Sequence, residues 1–252
     1  MAPSPVRLST ALLRRSIQAF VLFLILAAAP TVLLAQQPDA PAPEEGRGFF
    51  MMGLHGINVD ELNDQLIGAG YPTFSSTMFT LGGGGFGIRG SFLIGGEGHG
   101  LLGSDETTAD GVFRTRLAGG YGMLNLGYDL FPGEPGSIYP LVGIGAGAMS
   151  LRIIEREALQ FEDLLENPRR GVEASRVSFL LMFGLGGDYL FVPPGTPEDA
   201  GGLAVGVRVG YVAALGQTSW NTEVGDVAGG PKLSPSGAFV RFQIGGGSRP
   251  IR

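Results

Sequence analysis

Apolar residues recur at every second position over long stretches of this chain. In 203–211 (LAVGVRVGY) Leu203, Val205, Val207, Val209 and Tyr211 fall on one face, and Ala204, Gly206, Arg208 and Gly210 fall on the other. In 177–191 the odd positions Val177, Phe179, Leu181, Phe183, Leu185, Tyr189 and Phe191 make an apolar row, against Ser178, Gly184, Gly186 and Asp188. Leu124, Leu126, Tyr128 and Leu130 alternate with Met123, Asn125, Gly127 and Asp129, and Ala238, Val240, Phe242 and Ile244 with Phe239, Arg241, Gln243 and Gly245. A period of two is the signature of a strand with unlike faces. Weaker strands are legible at 48–56, with Phe50, Met52 and Leu54 on one face, and at 76–88, 91–101 and 139–152, giving eight in all. The run Gly82–Gly85 breaks parity between Phe79/Leu81 and Phe86/Ile88, which predicts a bulge. The pattern leaves the face of Met149 open.

The links between these strands are 57–75, 89–90, 102–111, 131–138, 153–174, 192–201 and 214–235. Those at one end are short or turn-rich (RG, FPGEPGSI, VPPGTPEDAG), whereas three of the four at the other end are long. Tight turns at one end and long loops at the other, with an even number of strands, are the mark of an up-and-down membrane barrel. Phe86, Phe92, Tyr128, Phe131, Tyr139, Tyr189 and Phe191 map near the short-turn end, where an interfacial girdle would sit. The fold expected is all-β: an eight-stranded antiparallel up-and-down transmembrane β-barrel with short helices in external loops.

Composition narrows the rest. The chain has 252 residues and no Cys, which excludes disulfides, thiolate metal sites, thiol catalysis and a lipoprotein anchor. The net charge is -6 and Lys232 is the single lysine, so the basic stripe that nucleic acid requires is missing. Arg7, Arg14 and Arg15 precede an apolar run at 19–29, and small residues surround Ala35. This reads as a signal peptide over 1–35. A flexible Pro-rich arm is expected over 36–47, the barrel over 48–247 and a tail over 248–252. Beyond the signal peptide no apolar run is long enough for a spanning helix.

The order of signal peptide and alternating strands, with segments such as FTLGGGGFGIRGSFLIGGEGHG and YPLVGIGAGAMSLRI, resembles the small outer-membrane barrels of the OmpA and OmpX groups. The resemblance covers nearly all of the chain after residue 35. It implies residence in the bacterial outer membrane, with outer-membrane lipid and the barrel assembly machinery as partners. Barrels of this kind usually end on an aromatic residue; here the last strand reads AFVRFQIGGG, and Phe242 stands nearest to that role.

An eight-stranded lumen is just wide enough for side chains to fill it. Glu97, Asp188, Arg208 and Arg241 are expected to point inward near mid-barrel, with Asp129 nearer the short-turn end. Buried charges must be paired, so these four are expected to form a luminal ion-pair cluster, led by Asp188 with Arg208. Two helices are expected in the long loops. One is capped by Asn58 with Glu61 three residues on, and Leu62 and Leu66 share a face. The other spans 155–166 and is stopped by Asn167-Pro168. Tyr71, Phe161 and Trp220 are the expected exposed anchors for an external ligand or partner.

Little suggests chemistry. His55 and His99 are expected inward near the loop-side rim, where with Glu97 they could bind metal or act on lipid, yet no serine stands at a matching spacing. Asp105, Glu106 and Asp110 read as a solvated loop. The Gly-rich runs lack the Lys-Ser/Thr and strand-to-helix context of a phosphate loop. No catalytic residue, metal site or cofactor is expected. The leading reading is a non-enzymatic outer-membrane barrel, structural or porin-like; a soluble lipocalin-like barrel binding an apolar ligand and a lipid-modifying barrel enzyme are the alternatives. The first two differ in which way the greasy rows face.

Overall fold

Every strand of the wall is hydrogen-bonded on both sides, and the sheet closes on itself. The computed structural model describes residues 45–132, 136–155, 171–193 and 201–248. The strands are β1 (Glu45–Gly56), β2 (Thr77–Arg89), β3 (Phe92–Thr107), β4 (Phe113–Tyr128), β5 (Gly136–Glu155), β6 (Gly171–Phe191), β7 (Gly202–Gln217), β8 (Trp220–Thr222), β9 (Gly225–Val227) and β10 (Gly237–Gly247). A helix, α1 (Asp60–Gly68), lies between β1 and β2. The order β5-β4-β3-β2-β1-β10-β7-β6 is closed by β5 pairing with β6, an eight-stranded antiparallel barrel. Closure satisfies the backbone polar groups within the wall, as hydrocarbon surroundings demand. The hairpin β8–β9 leans on the loop-side end of β6.

Alternation sorts the side chains into two populations. Val205, Val207, Val209, Phe183, Leu185, Leu124, Leu126, Val240, Phe242 and Ile244 are exposed on the outside. Arg208, Asp188, Asn125, Arg241, Gln243 and Phe239 are buried inside. Tyr189 and Phe179 stand ten positions apart on β6, as do Phe92 and Leu102 on β3. At a rise of about 3.3 Å per residue and a tilt of about 40°, ten residues cover about 25 Å of height, the thickness of the apolar band of a membrane barrel. Phe92, Tyr128, Phe131, Tyr189 and Phe191 border the band at the short-turn end, and Phe79, Phe179 and Tyr211 border it at the loop end.

Several expectations need correction. Phe86 and Tyr139 do not belong to the girdle: both are buried in the lumen, their rings 5.4 Å apart. The run Gly82–Gly85 contains no bulge, because β2 stays in unbroken register with β1 and β3. What changes there is which face carries the apolar residues: Phe79 and Leu81 face out, Phe86 and Ile88 face in. The bulges lie instead between Leu102 and Asp105 of β3 and opposite Phe179–Leu180, where Leu215 is the extra residue of β7. Met149 is fully buried in the lumen. The wall begins at Glu45, inside the stretch expected to be a flexible arm, so Arg47 is a barrel residue. The signal peptide, residues 36–44 of the arm and the end of the tail lie outside the described residues, as does nearly all of the helix expected over 155–166; Glu155 itself ends β5. Among the described residues no helix is long and apolar enough to cross a membrane, which says nothing against a barrel.

The excess of glycine has a steric reason at particular places. A Cβ on Gly186 would stand 2.1 Å from the Tyr139 ring, and one on Gly82 would stand 2.3 Å from the His99 ring. Large luminal side chains lie flat over positions that carry none. Gly90 turns β2 into β3 with φ +59°, in the left-handed region that glycine occupies without strain.

Candidate functional site

The lumen holds a ladder of polar groups. Near the short-turn end Arg47 of β1 reaches across to Asp188 of β6, forming a buried ion pair. Gln243 of β10 stands beside it, its Nε2 3.5 Å from Asp188 Oδ2, and donates to the Tyr139 hydroxyl at 3.0 Å. At mid-height Glu97 of β3 accepts from two arginines, Arg208 Nη1 to Oε2 at 2.6 Å and Arg241 Nη1 to Oε1 at 2.8 Å. His99 Nε2 lies 3.4 Å from Glu97 Oε1 and 3.1 Å from Arg241 Nη1. Arg241 also donates to the Tyr121 hydroxyl, which sits 3.4 Å from Nδ1 of His55. The ladder ends where His55 Nε2 meets the carbonyl of Pro235 at 3.0 Å.

Register explains the middle of this ladder. Arg208 of β7 and Arg241 of β10 are directly opposite one another, an arrangement that repels unless something negative joins them. Glu97 does so from across the barrel. Aromatic faces take up positive charge that the one carboxylate leaves over. Arg208 lies 5.9 Å from the Phe49 ring, 5.5 Å from Phe86 and 5.6 Å from Tyr139, and Arg241 lies 3.7 Å from Phe239 and 5.6 Å from Tyr121.

The four expected residues Glu97, Asp188, Arg208 and Arg241 all point inward, but they fall into two groups. The expected Asp188–Arg208 pair does not form: Asp188 is in register with Gly206, two positions from Arg208, and its partner is Arg47. Arg47 was missed because it follows a Pro-rich, acidic stretch, and the only signal for it was the alternation of Arg47, Phe49 and Met51 with Phe50 and Met52. Asp129 is buried at the short-turn end and accepts from the Phe131 amide at 3.1 Å. His55 and His99 are both buried.

The loop-side mouth is closed by chain. Leu62 and Leu66 of α1 are buried together with Ile57, Val59 and Phe74, and Asn63 exchanges two hydrogen bonds with the Phe74 backbone at 2.9 and 3.0 Å. The expected capping box is absent. Asn58 accepts from the Asp60 amide at 3.1 Å, but Glu61 turns away and accepts from the Lys232 amide at 2.8 Å. Lys232 belongs to a strap, 231–235, that leads into β10. Arg176 Nη1 and Trp220 Nε1 both donate to the Pro231 carbonyl, at 2.7 and 2.9 Å. Leu233 at its centre is 1% exposed. Side chains from β1, α1, β6 and β8 thus hold one irregular segment over the lumen.

Of the expected external anchors, Trp220 is not exposed. It is 4% accessible, with the Arg176 guanidinium over its ring at 5.4 Å. Tyr71 is half-buried edge-on against Phe113 at 5.6 Å, and Phe161 lies outside the described residues. Trp220 and Tyr71 hold loops to the barrel. Asp105 pairs with Arg114 and Arg116, while Asp110 caps its own turn, accepting from the Thr108 hydroxyl at 2.5 Å and the Val112 amide at 3.0 Å. The Thr108 hydroxyl and then the Val112 amide hold the Asp110 carboxyl below its usual range. Among the described residues no His/Asp/Glu group is spaced to hold a metal.

With this geometry the chain matches solved outer-membrane barrels. Ail, the attachment invasion locus protein of Yersinia pestis, aligns with a TM-score of 0.43 at 12% identity, covering 81% of this chain and 97% of that one. A major outer membrane protein from Thermus thermophilus aligns at 0.43 and 11%, covering 81% and 98%. The outer membrane protease OmpT from Escherichia coli aligns at 0.36 and 11%, covering 82% and 96%. The likeness is one of fold. No protein-family model matches the sequence, and a search of curated proteins finds no relative.

Proposed function

We propose that this chain is a non-enzymatic outer-membrane β-barrel protein whose lumen is a closed polar plug, serving the envelope as a structural element. The observation that carries this reading is the polarity of the wall. Val205, Val207 and Phe183 face out in a band about 25 Å tall, while Arg208, Arg241, Glu97 and Asp188 are enclosed. A water-soluble barrel for an apolar ligand requires the reverse, and the interior here is packed with Met51, Leu101, Leu180, Met182 and the polar ladder. The partners of the histidines support the absence of catalysis: His55 meets a carbonyl and a tyrosine, and His99 meets Glu97 and Arg241. Neither has a serine hydroxyl as a partner among the described residues.

Two measurements test the proposal. Envelopes fractionated after expression should yield the protein with outer membranes, in a compact form that shifts on SDS gels only after heating. In planar bilayers the wild type should show no steady conductance, and Arg208→Ala, which frees one side of Glu97, should leak or lose its heat-resistant form. Steady conductance of the unmodified protein would overturn the plug.

A further inference from the structure

We draw no further inference here: the strongest candidate, the stripe of small residues on the outer face of the wall that runs from β2 to β5 through Gly83, Gly98, Gly122 and Ala146, carries nothing because nothing in the structure shows what covers it.

Discussion

At the scale of single residues, the lumen is organised by shared partners. Glu97 is the one carboxylate between two buried arginines, so removing its charge strands both. Breaking a buried pair by deleting one partner costs about 3–5 kcal/mol. Glu97→Gln should therefore lower the midpoint of denaturant unfolding well beyond Asp105→Asn, whose partners Arg114 and Arg116 are half-exposed; equilibrium unfolding in detergent micelles compares the two. Asp110 shows the opposite regime, an exposed carboxylate with local donors. Its folded value is depressed, so its support for the Thr108–Val112 turn is present above the unfolded value and is lost as pH falls through the folded one. Protection of the Val112 and Phe113 amides, taken relative to their intrinsic exchange at each pH, should fall on acidification, and Asp110→Asn should remove that pH dependence.

At the scale of elements, the mouth is closed by an irregular strap and a nine-residue helix, neither of which is stable alone. Their order comes from burial of Leu233, Leu62 and Leu66 and from hydrogen bonds that Glu61, Arg176, Trp220 and His55 make to the strap backbone. A single such bond is worth about 1 kcal/mol net. Glu61→Gln or Trp220→Phe should thus raise amide exchange of 232–234 a fewfold and leave strand amides unchanged. Leu233→Asp should open the segment entirely. The hairpin β8–β9 belongs to this assembly through Trp220.

At the scale of the whole molecule, the barrel is a protein turned outward, with its charges at the centre and its grease on the surface. Stability therefore depends on the solvent. Val207→Arg places a charge in the middle of the apolar band and should cost about 2–4 kcal/mol in a bilayer. Thr77→Arg, on the same outer wall but beyond the girdle residue Phe79, should cost little. Folding yield into vesicles, scored by heat-modifiable migration, distinguishes them. The same substitution in a water-soluble barrel with an apolar core facing inward would leave an exposed arginine of no consequence.

Strand count, inward and outward faces, and the enclosure of Glu97, Asp188, Arg208 and Arg241 are legible in the sequence, because a period of two is a local property that each strand carries by itself. Phe86 shows the limit of that reading. Its position in the period was plain, but apolar residues occupy both faces of β2, and only packing against Phe49 and Tyr139 decides that it fills the lumen. Partner choice was decided by tertiary structure alone. Arg47 reaches Asp188 from a strand 141 positions away, and Glu97 reaches Arg208 from 111 positions away. Trp220 and the strap meet only because the closed wall brings β1, α1, β6 and β8 to one rim. Alternation is written residue by residue, whereas a pairing across a narrow lumen depends on strand register and side-chain reach. Both are set when the last strand meets the first.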